Sequence, residues 1–193
     1  MRARLAPQDQ MTIEEFLAFT DSRPDGERWE LIEGAAIMNP SPAEFHQVIA
    51  GNILYCLTSQ KIARNAPWLP MIGVGTRVPV SPNSLPQPDV FVKQGAPTDR
   101  PVTDDALVLF EVLSRSNTKA DQAWRRKVYA SVPNCQHYVT VAQSKIEVVR
   151  YDRSTDWTPE IMSRRAQSLD LFALGPGVAI PLAEIYRWTP LGD

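Results

Sequence analysis

Cysteine is scarce in this 193-residue sequence, with Cys56 and Cys135 the only two and no CxxC spacing between them. That excludes a disulfide framework and a zinc-finger signature, and it suits a reducing compartment. No apolar run approaches 18 residues, so no membrane-spanning helix is expected. The opening "MRARLAPQDQ" lacks the apolar stretch of a secretory signal, so a cytoplasmic location is expected. A surplus of one charge is missing too. A net charge of −2 offers no global basic field, so a nucleic-acid partner would have to be met by local clusters of Lys and Arg. Internal repeats and low-complexity tracts are absent. What remains is a globular composition, 44% hydrophobic and 22% charged, in a chain long enough for one domain with a genuine core.

The elements are read from spacing. In "MTIEEFLAFT", Thr12 and Glu15 have capping-box spacing ahead of a short helix that buries Ile13, Phe16 and Leu17. "RWELIEGAAIM" reads as a hairpin turning at Glu33-Gly34. In "NPSPAEFHQVIAGNILYCLTSQKI", Ser41 is the expected N-cap, Pro42 the first helical position and Glu44 the partner in a second capping box. His46, Ile49, Ala50, Ile53 and Leu57 then share one face. Strands are expected in "LPMIGVGTRVPV", "PDVFVK", "ALVLFEVLS", "QHYVTV" and "KIEVVRYD". A helix opened by Thr118 and Asp121 is expected between the third and fourth of these. A weaker strand and a short helix at "IPLAEIYRW" finish the chain. The order predicts an α/β fold, a mixed sheet flanked by helices, with residues 107–113 as its buried central strand.

One residue does not belong in that pattern. "LVLFEVLS" sets Glu111 inside the most apolar strand, where an ionised carboxylate is costly unless something compensates it. Asp89 opens the preceding strand, 22 residues earlier, and Glu30 lies in the hairpin. If the two strands pair, Asp89 and Glu111 approach each other and need a cation between them. Oxygen ligands of that kind suit Mg²⁺ or Mn²⁺. The plainer alternative is an Asp that caps a strand and a Glu that tips into solvent.

"ELIEG", His46, "PDV", "EVLSRS", Asp121 and Tyr129 follow one another in an order that resembles the Uma-two family of restriction endonucleases, a branch of the PD-(D/E)XK nuclease superfamily. The resemblance covers about residues 12–151, and "YRW" is similar to that family's tail. It implies one restriction endonuclease-like domain over residues 1–193, with residues 152–193 as a C-terminal extension. Extra hairpins are expected near both ends. It also implies Asp89 and Glu111 as Mg²⁺ (or Mn²⁺) ligands, with the Val112 carbonyl as a third. Glu30 would stand at the edge of the site and His46 would line it. Ser114 and Ser116 would cap the next helix or touch a phosphate.

One position departs from the pattern. The superfamily's lysine, two residues after the strand glutamate, is Leu113 here. The Uma-like arrangement resembles D-x-x-x-K-x-x-x-Y on the following helix. Asp121 and Tyr129 fit it, but the middle position is Arg125, and Lys127 is two residues further on. On a helix Lys127 is rotated by roughly 200° from Arg125, so Arg125 is the expected site residue and the expected clamp on the scissile phosphate. A guanidinium cannot act as a base. Lys127 remains a candidate substrate contact. His137, Tyr129 and Tyr138 read as structural, and "WRRK" as a solvated face. Two functions follow. One is a metal-dependent endonuclease that hydrolyses DNA phosphodiesters, which as a homodimer would act on two strands. The other is a catalytically impaired relative that binds nucleic acid or protein.

Overall fold

The computed structural model describes the backbone of residues 3–5 together with residues 10–114 and 117–192. The N-terminal part runs β1 (Ala3–Leu5), α1 (Ile13–Asp21), β2 (Arg28–Ile32), β3 (Ala35–Asn39) and α2 (Glu44–Arg64). The middle follows as β4 (Trp68–Met71), β5 (Gly75–Thr76), β6 (Val90–Gln94), β7 (Val102–Thr103), β8 (Val108–Leu113) and α3 (Lys119–Ala130). The remainder is β9 (His137–Ala142), β10 (Val148–Asp152), β11 (Pro159–Met162), β12 (Ser168–Asp170), β13 (Ala179–Pro181) and α4 (Leu182–Ile185).

The main sheet has six strands in the order β11-β10-β9-β8-β6-β4. All its neighbours are antiparallel except β8 and β9, which α3 connects as a parallel pair. Pleating sorts the side chains of β8. Val108, Phe110 and Val112 face a core made with α2, β12, β13 and α4, through Ile49, Ile53, Leu57, Leu169 and Ile185. Leu109 faces the other way, into a core with Phe91, Val128 and Tyr129, so the two-residue period turns Glu111 toward α3 as well. The central strand expected at 107–113 is thus observed, flanked on both sides and buried along nearly its whole length.

The N-terminal hairpin forms as expected and gains β1, giving a separate sheet in the order β1-β3-β2. Glu33 and Gly34 both take positive φ (50° and 79°), the requirement of a two-residue hairpin turn whose twist matches its strands. Trp29 and Leu31 pack on Ile13, Phe16 and Leu85, and Leu31 bridges Leu85. Glu30, between them, points to the opposite face. Near the C-terminus β12 and β13 form the second hairpin, while β11 extends the main sheet.

Expectations about element boundaries fare differently. The capping boxes at Thr12–Glu15 and Thr118–Asp121 are present. The one expected at Ser41 is not: α2 starts at Glu44 with Ala43 as N-cap and no side-chain cap. Residues 41–43 instead line the cavity described below, where the chain stays extended. The strand-like run over 69–80, with Gly73 and Gly75 expected to mark a bulge or turn, divides into β4 and β5, and Gly73 turns the chain between them at φ 72°. Among the described residues no helix is long and apolar enough to cross a membrane.

Candidate active site

β6 stops pairing with β8 at Val90–Phe110. Beyond that point the Asp89 side chain takes over the open edge of β8, and the Val112 N–H donates to Asp89 Oδ2 at 2.8 Å. The N–H and C=O of a strand residue leave by the same edge, so the Val112 carbonyl also points off this edge. His46, one turn into α2, brings Nε2 to 3.2 Å from the same Oδ2. Its Nδ1 is buried without a hydrogen-bond partner.

Glu111 is 6% exposed and is held from α3. Its Oε1 accepts from Arg125 Nη1 at 2.9 Å and from the Tyr129 hydroxyl at 2.8 Å. Arg125 Nη2 donates to both oxygens of Glu30, at 2.9 and 2.8 Å. Asn39 Nδ2 and the Gln87 N–H complete the shell of Glu30, each at 2.8 Å. One guanidinium thus ties the hairpin, the central strand and α3 together.

The charges are unequal around that guanidinium. Burial raises the Glu30 carboxyl, but the Arg125 charge and four hydrogen bonds outweigh it and hold the pKa below the usual carboxylate value. Glu111 shares Arg125 and has fewer donors. Burial, opposed by Arg125 but reinforced by the negative charges of Asp89 and Glu30, pushes it up to about 8. Arg125 is buried, which lowers its pKa, but Glu111 and Glu30 raise it well above its ordinary value, so it stays charged. Burial and the Glu111 charge raise Tyr129, which keeps its proton and donates it.

Asp89, Glu111, Val112, His46 and Arg28 line one cavity of about 150 Å³. Each of the two carboxylates has one oxygen fixed by the protein and one left over. Among the described residues, Asp89 Oδ1 has only Arg28 Nη2 near it, at 4.0 Å, and Glu111 Oε2 accepts no hydrogen bond. No three His, Cys, Asp or Glu side chains among the described residues gather into a metal cage. The donor set is two open carboxylate oxygens beside a backbone carbonyl, hard ligands that fit a Mg²⁺ or Mn²⁺ keeping several waters.

The residues expected at the site mostly meet there. Glu30, His46, Asp89, Glu111, Val112, Ser114 and Arg125 share this cavity. Arg125 does something other than the expected phosphate clamp. The four hydrogen bonds of its terminal nitrogens all go to Glu30, Glu111 and Tyr129. The Ser114 N–H and hydroxyl both donate to Asn117 Oδ1, so this residue shapes the turn into α3. Lys127 is exposed on the far side of α3, outside the cavity. Ser116 lies outside the described residues. Sequence reasoning missed Asn39 and Gln87, the neutral donors to Glu30, and it missed Arg28. The signal for Arg28 was present: it stands two residues before Glu30 on one strand, hence on the same face.

The model of the Uma2 family, described as "Putative restriction endonuclease", matches residues 13–183. The chain belongs to the Uma2 family. Five chains among solved structures also match. One, a crystal structure described as "a putative nuclease belonging to DUF820" from Anabaena variabilis ATCC 29413, superposes with a TM-score of 0.74 at 13% identity. The match covers 92% of this chain and 98% of that one, so the two share a fold. A search of curated proteins finds no match. In this Uma2 chain Arg125 occupies the position for which the family resemblance suggests lysine, and its environment accounts for the change. Two buried carboxylates face it from opposite sides, and a planar fork bonds both where a single ammonium is a point charge.

Proposed function

We propose that this protein is a metal-dependent DNA endonuclease whose site is the Asp89–Glu111 pair. The observation that carries the reading is the asymmetry of those two carboxylates. Each has one oxygen fixed by donors of the protein and one open on the same cavity. Glu30, which serves as a core ion pair, has both oxygens engaged instead. Membership of a family described as restriction endonucleases supports a phosphodiester substrate.

Asp89, Glu111 and the Val112 carbonyl would hold Mg²⁺ or Mn²⁺. When bound, such an ion lowers the pKa of water and stabilises a departing oxygen. The rest falls to the chain. His46 and the Val112 N–H keep Asp89 in one rotamer. Arg125 and Tyr129 do the same for Glu111, and Glu30 with its four donors holds Arg125 in place. Arg125 is therefore a positioning residue, and its fixed positive charge keeps Glu30 ionised and offsets part of the burial that raises Glu111.

A second reading, a relative that binds nucleic acid or protein without turnover, is favoured by one observation: the guanidinium of Arg125 cannot exchange a proton with water. Supercoiled plasmid incubated with the purified protein and Mg²⁺ or Mn²⁺, beside Asp89→Ala, separates the two. Nicking that disappears in the variant is the expected result. Absence of nicking, with a melting temperature still raised by the metal in wild type and not in the variant, selects the binding module. Neither effect removes the metal site altogether.

A further inference from the structure

A second cavity, of about 300 Å³, opens beside the first and shares Arg28 and Asp89 with it. It lies between α2 and the turn after β4, over a floor of Gly51, Leu54, Ile72 and Gly73. Three features of its lining go unexplained by the fold.

The first is Arg28. Its side chain is 38% exposed, and among the described residues its one ion-pair contact within 4.0 Å is Asp89, at 4.0 Å, beyond hydrogen-bonding distance. Among the described residues it makes no hydrogen bond, in contrast to Arg125. Its planar donor fork, suited to two phosphate oxygens, stands uncommitted where the two cavities meet. The second is Gly51. It lies inside a 21-residue helix, where glycine costs up to about 1 kcal/mol relative to alanine. Its φ is not positive, and a Cβ built there meets nothing within 4 Å. Neither backbone conformation nor packing calls for glycine, but any larger side chain would fill the groove. The third is the floor itself. Leu54 and Ile72 offer apolar surface, Ile72 at 55% exposure, which a bare phosphate has no use for and a sugar or base face does.

We infer that Arg28 and this groove form a binding subsite for the nucleotide adjacent to the cleaved phosphodiester, Arg28 taking its phosphate and the Gly51–Ile72 floor its nucleoside. The inference rests on the nuclease reading for the location of the cleaved bond. The groove's volume is at the lower end for small-molecule sites and suits one nucleotide of the substrate strand.

The test is binding of a fluorescently labelled 20-nucleotide single-stranded DNA, followed by anisotropy in Ca²⁺ over a range of salt. Wild type is compared with Arg28→Ala, Gly51→Leu and the exposed helix control Ser59→Leu. Arg28→Ala is expected to weaken binding about tenfold and to reduce the salt slope by about 0.7, as loss of one phosphate contact does on a single strand. Gly51→Leu is expected to weaken binding about tenfold with the slope unchanged and the melting temperature equal or higher. Ser59→Leu should bind as wild type. DNA affinity that is absent in wild type, or untouched in both groove variants, overturns the inference. Parallel plasmid nicking in Mn²⁺ keeps the two ideas apart. Binding through Arg28 and Gly51 without nicking sinks the nuclease reading alone. Wild-type nicking by both variants sinks the subsite alone.

Discussion

Two histidine–aspartate pairs occur in this protein at the same separation, and only the first lines the cavity beside Glu111. His46 Nε2 lies 3.2 Å from Asp89, and His137 Nδ1 lies 3.2 Å from Asp152. The second pair is closed off. His137 is fully buried at the start of β9, its Nε2 accepts from the Ala173 N–H, and Phe172 stands edge-on against its ring. Asp152 Oδ1 accepts from the Ser154 N–H and hydroxyl, and Arg150 stands 4.0 Å from Oδ2. Unpartnered polar atoms occur in both pairs, His46 Nδ1 in the first and His137 Nδ1 and Asp152 Oδ2 in the second, but the first pair lines a cavity beside the open Asp89 Oδ1. It also has company: Glu30 and Glu111 crowd the same end of the sheet around one buried guanidinium. A buried ion pair by itself therefore marks packing as readily as chemistry. The difference lies in surplus negative charge and open oxygens beside a cavity.

The largest expected effect sharpens that contrast through the two arginines. Arg125→Met leaves Glu30 and Glu111 buried without a counter-charge, and urea unfolding should show a loss of about 3–5 kcal/mol. Arg150→Met removes an arginine whose ion-pair partner Glu160 is mostly in solvent and whose other contacts are one Asp170 carbonyl, the Phe172 ring and Asp152 at 4.0 Å, and the loss should be smaller, about 1–2 kcal/mol. Equal losses would break the distinction between the two clusters.

An intermediate effect comes from pH. Burial lowers the His137 pKa to about 4 despite the opposing Asp152 charge. The hydrogen bond that Nε2 accepts from Ala173 also requires the neutral ring. The unfolded chain binds this proton below about 6.5 and the folded chain only below about 4, so stability falls as pH drops through that interval. Melting temperatures between pH 7 and 4 should decline, and His137→Gln should flatten the decline. A profile identical in the variant would mean that the closed pair carries none of the acid sensitivity.

The smallest effect concerns Lys127. Its alanine variant should unfold within about 0.5 kcal/mol of wild type and nick plasmid at the wild-type rate, because this side chain is exposed outside both cavities. A nicking loss in Lys127→Ala would move the functional cation off Arg125 and revive the helix-register alternative.

These contrasts also mark what the sequence could disclose. Local chemistry was readable wherever it repeats at short range. The Glu33-Gly34 turn, the caps at Thr12 and Thr118, and the apolar period of β8 each depend on neighbours within a few residues. The oddity of Glu111 was visible for the same reason, since one carboxylate interrupts a buried strand. Its partner was harder to see. The cation in contact with Glu111 is Arg125, which also reaches Glu30 across 95 residues of sequence. No periodicity encodes that triangle. Gln87 contributes a backbone N–H from a proline-rich loop, where side-chain identity says nothing about which amide is free. Ser41 shows the reverse failure. It carries the right residue for a cap, but the chain from 41 to 43 stays extended along the cavity wall.

The most direct test of the central claim is a crystal structure of the protein soaked with Mn²⁺ and measured at a wavelength that gives anomalous signal from manganese. A peak is expected at about 2.0–2.2 Å from one oxygen each of Asp89 and Glu111, the range of hard oxygen ligation, with the Val112 carbonyl beside it. A cavity without manganese at saturating concentration, or manganese bound away from both carboxylates, would contradict it.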